Sequence, residues 1–314
     1  MQILRPKNYI PVNGILLLDK GSDMTSNTAL QLVKNVYKAK KAGHTGTLDF
    51  LASGLLPICF GEATKVSQFI LNSDKTYYAE ILFGYQSATG DLNGAITKDI
   101  KEKKFSTFEL LSVLASFKGE YKQIPPMYSA IKIKGVRAYH LVRRAGAGQP
   151  LPALKPRQVR IDEFRRLDSD QMGARFFVGC GKGAYIRALA RDLGRALGSA
   201  AHVTSLRRLS VGQFHADHAI SLDFLEKLTH SAAAFENLHP VVSALDDIPA
   251  LPISRAEATK LRHGQTLPAL SASAQQRFAM LMAGDTAIAI EGQTPVALVM
   301  VKAGVICPVR VLNL

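Results

Sequence analysis

Between residues 43 and 61 the chain places Gly43, Gly46, Gly54 and Gly61 around Pro57. Glycine adopts positive φ without a steric penalty and lets other groups approach the backbone closely, while proline removes a hydrogen-bond donor. The stretch therefore reads as a structured loop passing close to something. Its centre is Gly43-His44-Thr45-Gly46-Thr47-Leu48-Asp49-Phe50-Leu51-Ala52-Ser53-Gly54-Leu55-Leu56-Pro57. One carboxylate, Asp49, stands there among Leu48, Phe50 and Leu51. A carboxylate among apolar groups is partly desolvated and more nucleophilic, and it needs a cation to remain ionised. A lone loop Asp can equally form an Asx-turn or a helix cap, so spacing leaves both roles open.

Hydrophobic periodicity supplies the scaffold around this loop. Residues 14–18 form a compact apolar run, expected as a buried strand. Thr25 or Ser26 caps a helix carrying Leu30, Val33 and Tyr37, with Lys38, Lys40 and Lys41 at its end and Gly43 as its stop. A helix resumes near Glu62, with Ala63, Val66 and Ile70 on one face. Residues 77–83 alternate as a strand. Ser106 and Glu109 make a capping box for a helix expected to bury Leu110, Leu111, Leu114 and Phe117. The segment 125–152 is basic, with Lys132, Lys134, Arg137, Arg143 and Arg144, and reads as a long loop with a short helix. Strands follow at 159–164 and 174–180. After Gly181-Lys182-Gly183 comes a helix with Ile186, Leu189, Leu193 and Leu197 on its buried face. Arg187, Arg191 and Arg195 line another face. Arg191 and Arg195 read as solvated; Arg187, in the first turn beside a glycine-rich loop, does not.

Composition shifts near Pro249. Ser254 and Glu257 form a second capping box, and Gly264 closes that helix. Four short apolar runs follow at 277–282, 287–290, 297–301 and 308–312, the pattern of a small β-barrel. The expected architecture is α+β, with a larger domain over 1–248 that includes a basic insertion at about 124–152, and a C-terminal module over 249–314.

Charge narrows the partners. Lys and Arg total 39 against 25 Asp and Glu, a formal net charge of +14. Cationic side chains release counterions on meeting phosphates, which favours nucleic acid; an anionic membrane surface is the rival, although no long amphipathic basic helix supports it. Cys59, Cys180 and Cys307 have neither disulfide nor zinc spacing. The apolar run at 15–18 is too short for a signal core or a span, so a cytoplasmic location is expected. Gly181-Lys182-Gly183 is not a phosphate loop, and neither a His-Glu-x-x-His pair nor a Gly-x-Ser-x-Gly elbow occurs.

The segment around Asp49 resembles the signature of the TruB family of pseudouridine synthases, and Gly61-Glu62-Ala63-Thr64-Lys65 resembles its continuation. Leu17-Leu18-Asp19-Lys20 with Thr25-Ser26-Asn27, Asp74-Lys75-Thr76-Tyr77, 125–132 (PPMYSAIK), 180–187 (CGKGAYIR) and Leu206-Arg207-Arg208 resemble further family motifs, in the family's order. Gly21, Phe50, Thr76 and Ala184 depart from the pattern; the family usually has Pro at the first two positions. The resemblance implies a pseudouridine synthase catalytic fold, a mixed and mainly antiparallel sheet flanked by helices, plus a small C-terminal PUA-like β-barrel. It implies isomerisation of uridine-55 in the TΨC loop of tRNA, without cofactor or metal. Asp49 would be the catalytic residue, as nucleophile or in proton abstraction at the sugar. Arg187 would pair with it, Tyr77 stack on the flipped base, Tyr185 and Leu206 line the uracil pocket, and His44 act as a wedge or contact. Lys20, Lys132, Arg207 and Arg208 would touch phosphates or the RNA loop. The architecture resembles the stand-alone bacterial type, implying a monomer that needs no guide RNA and no membrane. The altered neighbour Phe50 motivates an alternative, a tRNA-binding or tRNA-folding protein of the same fold without turnover.

Overall fold

The computed structural model describes residues 9–99, 105–145, 152–169, 173–229, 231–246, 248–268 and 284–314. Its centre is an 11-stranded sheet. Along the main path the strands run in the order Ile220–Ser221, Gly14–Lys20, Ser53–Phe60, Ala201–Val211, Lys75–Phe83, Gly173–Cys180, Arg157–Ser169 and Gly119–Gln123. Two neighbour pairs are parallel, 14–20 with 220–221 and 53–60 with 201–211; the others on this path are antiparallel. The sheet is thus mixed and mainly antiparallel.

The apolar run at 14–18 is continuous because its strand is buried on both faces. Leu16 and Leu18 point into one core with Ala29, Leu30 and Val33, and Leu110, Leu114, Leu189 and Leu193 belong to that same core. Ile15 and Leu17 point into a second core on the opposite face, with Leu55, Cys59 and Val211. Helices Ser26–Val36, Thr107–Ser116 and Ile186–Ala196 therefore cover one face. The second face meets the C-terminal module, whose Ile288, Leu298 and Leu312 complete that core. Lys65 Nζ donates to the Val311 carbonyl at 2.8 Å, and Asn313 N to Glu62 Oε2 at 2.6 Å, fastening the same seam.

Among the described residues the module is a five-stranded half-barrel in the order Ala250–Pro252, Thr286–Glu291, Thr294–Lys302, Val305–Val311 and Leu267–Pro268. Helix Arg255–Arg262 packs on it, with the Ser254–Glu257 capping box formed. Three of the four expected apolar runs are strands; the run at 277–282 lies outside the described residues.

Several local expectations need correction. The helix after Thr25 ends at Val36, and Lys38 at φ 47° makes the left-handed stop, not Gly43. The 107–116 helix buries Leu110 and Leu114, but Leu111 is 51 % exposed, because it sits about 100° round the helix from Leu110. The second half of the glycine-rich stretch is an eight-residue strand, Ser53–Phe60, in the middle of the sheet. Pro57 is tolerated there for a topological reason. A strand residue's N–H and C=O face the same side, and the Pro57 carbonyl accepts from Thr45 N at 3.0 Å. On that side the pairing changes from 201–211, at Ser53 and Gly54, to the short strand Ala42–His44, at 58–60, so no ladder needs the missing donor.

The basic segment begins as a hairpin, Lys132–Ile133 with Val136–Arg137, turning on Lys134 and Gly135 at φ 48° and 85°. Helix Ala138–Ala145 follows, and 146–151 lie outside the described residues. Among the described residues no helix is long and apolar enough to cross a membrane.

Candidate active site

The Asp49 loop leaves strand Ala42–His44 and re-enters the sheet at Ser53. Ser26, in the first turn of its helix and 1 % exposed, clasps the residue before Asp49: its Oγ accepts from Leu48 N at 2.8 Å and donates to Leu48 O at 3.0 Å. Ala52 N closes the loop onto the Asp49 carbonyl at 3.1 Å. Arg208, 1 % exposed, donates from Nε to Leu55 O at 2.7 Å and from Nη2 to Gly46 O at 3.1 Å. Gly54 is obligatory where the loop becomes strand. It holds φ +98°, and a Cβ there would lie 2.2 Å from the Arg208 carbonyl oxygen.

Arg187 comes from the first turn of the 186–196 helix. The turn is fixed by Gln123, 1 % exposed, which accepts from Tyr185 N at 2.8 Å and donates to Tyr185 O at 3.2 Å. The Arg187 guanidinium grips Asp49 in bidentate fashion, Nε to Oδ2 at 2.9 Å and Nη2 to Oδ1 at 2.8 Å. It also donates to the carbonyls of Thr89, at 2.6 Å, and Tyr128, at 2.9 Å. Asp91 Oδ2 stands 3.6 Å from its Nε. The Arg187 side chain is 4 % exposed and that of Asp49 32 %. A buried cation thus holds a carboxylate that still faces open space, which fixes the orientation of the acid. One cation facing two carboxylates and two carbonyls also satisfies its own burial.

That space is a cavity of about 260 Å³ lined by Asp49, Lys75, Tyr77, Ser129, Tyr185, Arg187, Leu206 and Arg208, among others. Tyr77 and Leu206 are 7 % and 5 % exposed and supply apolar wall. Burial pushes the Tyr77 phenol up to about 12, against the pull of Arg208, so it stays neutral near pH 7. Tyr185 moves the same way for the same reason. Burial lowers Lys75 to about 8; its Nζ donates to the carbonyls of Leu71, at 2.9 Å, and Ser73.

Of the residues singled out in the sequence, Asp49, Tyr77, Tyr185, Arg187, Leu206 and Arg208 come together around this cavity. The Arg208 guanidinium donates to backbone carbonyls and braces the Asp49 loop. Lys20 is not part of the cavity wall. It is 0 % exposed, donates to Gly21 O and Met24 O at 2.7 and 2.9 Å, and is lowered to about 8 by burial. Arg207 is half-buried and already bound to Asp19, at 3.0 and 2.8 Å. Lys132 is exposed on its hairpin and is not part of the cavity wall. His44 is half-buried with Nδ1 unpartnered; burial and Arg208 lower its pKa, so the imidazole is neutral at pH 7. Arg195 is solvated as expected, whereas Arg191 bonds Asp192 and the Ile124 carbonyl. Asp91 and Gln123 were not assigned roles from the sequence, and Ser26 only that of a possible helix cap, since each acts through a distant partner. Among the described residues no group of three or more His, Cys, Asp or Glu gathers as a metal site.

The model of the TruB-family pseudouridylate synthase N-terminal domain matches residues 34–186, and that of the tRNA pseudouridylate synthase B C-terminal domain matches residues 187–248. The chain belongs to the TruB family. Among TruB relatives, the tRNA pseudouridine synthase B of Caulobacter sp. (strain K31) is 42 % identical over 314 residues, covering 99 % of each chain. That of Chromohalobacter salexigens is 41 % identical over 310 residues, 98 % of this chain and 97 % of the other. Solved structures share the TruB fold at lower identity. A chain of a Cbf5-Nop10-Gar1 complex aligns with a TM-score of 0.69 at 24 % identity, over 92 % of this chain and 78 % of the other. A chain of an H/ACA RNP bound to a substrate RNA containing 2'-deoxyuridine aligns with a TM-score of 0.69 at 22 % identity, over 96 % and 85 %.

Proposed function

We propose that this TruB-family chain is an isomerase that converts uridine-55 in the TΨC loop of tRNA to pseudouridine, as a cytoplasmic monomer without a guide RNA. The observation that carries the reading is the bidentate grip of buried Arg187 on Asp49 at the wall of a cavity lined by Tyr77. The net change breaks the N1–C1' bond and forms a C5–C1' bond; C5 gives up its proton and N1 gains one. The uridine must first leave its stack, at a cost of a few kcal/mol. Tyr77 offers a face to the extruded base, worth about 1–3 kcal/mol, and Tyr185 and Leu206 close round it. Asp49, aimed by Arg187, acts on the base or ribose as the glycosidic bond rearranges. His44 contacts the RNA near the space the base leaves, while Lys132 and the basic hairpin position the backbone without reading sequence.

The test uses an in vitro tRNA transcript carrying tritium at C5 of its uridines. The protein releases one equivalent per tRNA from the native transcript and none when uridine-55 is replaced by cytidine. Binding without release establishes the non-catalytic alternative instead, and equal release from both transcripts rejects the assigned position.

A further inference from the structure

The Asp49 loop is held from several sides, yet it turns one large apolar side chain outward. Leu48 is 3 % exposed and Ala52 0 %, while the Phe50 ring between them is 44 % exposed. The loop does not depend on that ring for its shape. Ser26 clasps Leu48, Ala52 N closes onto Asp49 O, Arg187 grips the carboxylate, and Arg208 ties Gly46 and Leu55. The aromatic side chain is thus presented on a fixed backbone, one residue from the carboxylate that opens into the cavity. Leu71, on that cavity's wall, is also exposed, at 47 %.

We propose that Phe50 is a stacking platform for a nucleobase of the RNA substrate next to the target uridine, an inference that rests on the pseudouridine synthase reading above. The chain's net charge of +14 draws a polyanion, and a backbone threading past Asp49 brings successive bases within reach of the ring. Every base has a π-face, so such a stack grips the strand whatever its sequence. When the target uridine is extruded its neighbours lose a stacking partner; Phe50 supplies a replacement surface. Phe50 would then set how well the flipped state is held, while Asp49 performs the chemistry.

The test compares wild type with Phe50→Ala, Phe50→Leu and Phe50→Tyr, using a T-arm stem-loop with 2-aminopurine at either nucleotide flanking the target. Wild type and Phe50→Tyr should quench one 2-aminopurine on binding, and Phe50→Ala and Phe50→Leu should not. In tritium release, kcat/KM should fall about 5- to 150-fold in the Ala and Leu variants, the equivalent of ~1–3 kcal/mol, and stay within about 2-fold in the Tyr variant. Phe50→Leu keeps an apolar group at an exposed position, so the Leu–Tyr comparison stands even if the Ala variant is destabilised. Quenching and kcat/KM in Phe50→Leu equal to wild type overturn the proposal. The fluorescence requires only binding, so a wild type that binds without tritium release would remove the enzymatic reading and leave the stacking question decided.

Discussion

Replacing Arg187 and replacing Asp49 should have very different effects on stability, although the two residues form one pair. In Asp49→Asn the guanidinium keeps Asp91, 3.6 Å away, and the carbonyls of Thr89 and Tyr128. The lost partner is 32 % exposed, so its charge counted partly against solvent. A cost of at most about 1 kcal/mol follows, as for a half-exposed pair. In Arg187→Met the cation disappears, and the charge of Asp91, with its side chain 5 % exposed, is left with the Thr89 hydroxyl and the Asn93 amide on its Oδ1. Removing one partner of a buried charged cluster costs about 3–5 kcal/mol. At about 2–4 °C per kcal/mol for a chain somewhat smaller than this one, melting should drop by roughly 6–20 °C. Adding Asp91→Asn to Arg187→Met removes the stranded charge and should recover about 1–2 kcal/mol. The assay is calorimetric melting of the three variants beside wild type at pH 7. Equal melting temperatures for Asp49→Asn and Arg187→Met, or no recovery in the double variant, would refute the account of Arg187 as a shared buried counter-ion.

Three further outcomes follow from the same geometry. Ser26→Ala leaves the amide and carbonyl of Leu48 without their partner, which should cost about 1–3 kcal/mol in urea unfolding and lower kcat while tRNA affinity is kept; an unchanged kcat means the clasp does not position Asp49. Gly54→Ala forces a Cβ to 2.2 Å from the Arg208 carbonyl oxygen at φ +98°, so melting should fall by at least several degrees, and a wild-type melting curve would show that the strands separate freely there. Lys75 is lowered to about 8 in the fold from an ordinary 10.5. Between those values the unfolded chain binds the extra proton, so the stability of wild type relative to Lys75→Met should rise as pH climbs from 8 to 10.5. Urea titrations at the two ends of that window that give the same difference would contradict the burial of a charged Lys75.

The elements legible in the sequence were those whose signal is local. The strand at 14–18 and the 186–196 helix announce themselves by unbroken or periodic apolar residues, and both Ser–x–x–Glu capping boxes formed as their spacing required. The strand Ser53–Phe60 was hidden because Gly54 and Pro57 each carry a loop signal. Both are answered by other strands, Gly54 by the backbone of Arg208 and Pro57 by the gap between two pairing partners. Within the site, the Asp49–Arg187 pair spans 138 residues and was reached through family motifs, not periodicity. Asp91 and Gln123 matter only through Arg187 and Tyr185, and no short pattern marks them. Lys20 and Arg208 show the converse. Basic residues in a basic chain suggest phosphates, and only the packing shows that their charges are spent on backbone carbonyls inside the protein.

The central claim is that the carboxylate of Asp49 carries out the isomerisation and that its neighbours only hold or shape. Tritium release from C5-labelled tRNA, measured for wild type and Asp49→Asn beside a tRNA-binding titration of each, tests it most directly. The account predicts release by wild type, no release by Asp49→Asn, and tRNA binding by both. Release by Asp49→Asn at the wild-type rate would contradict it.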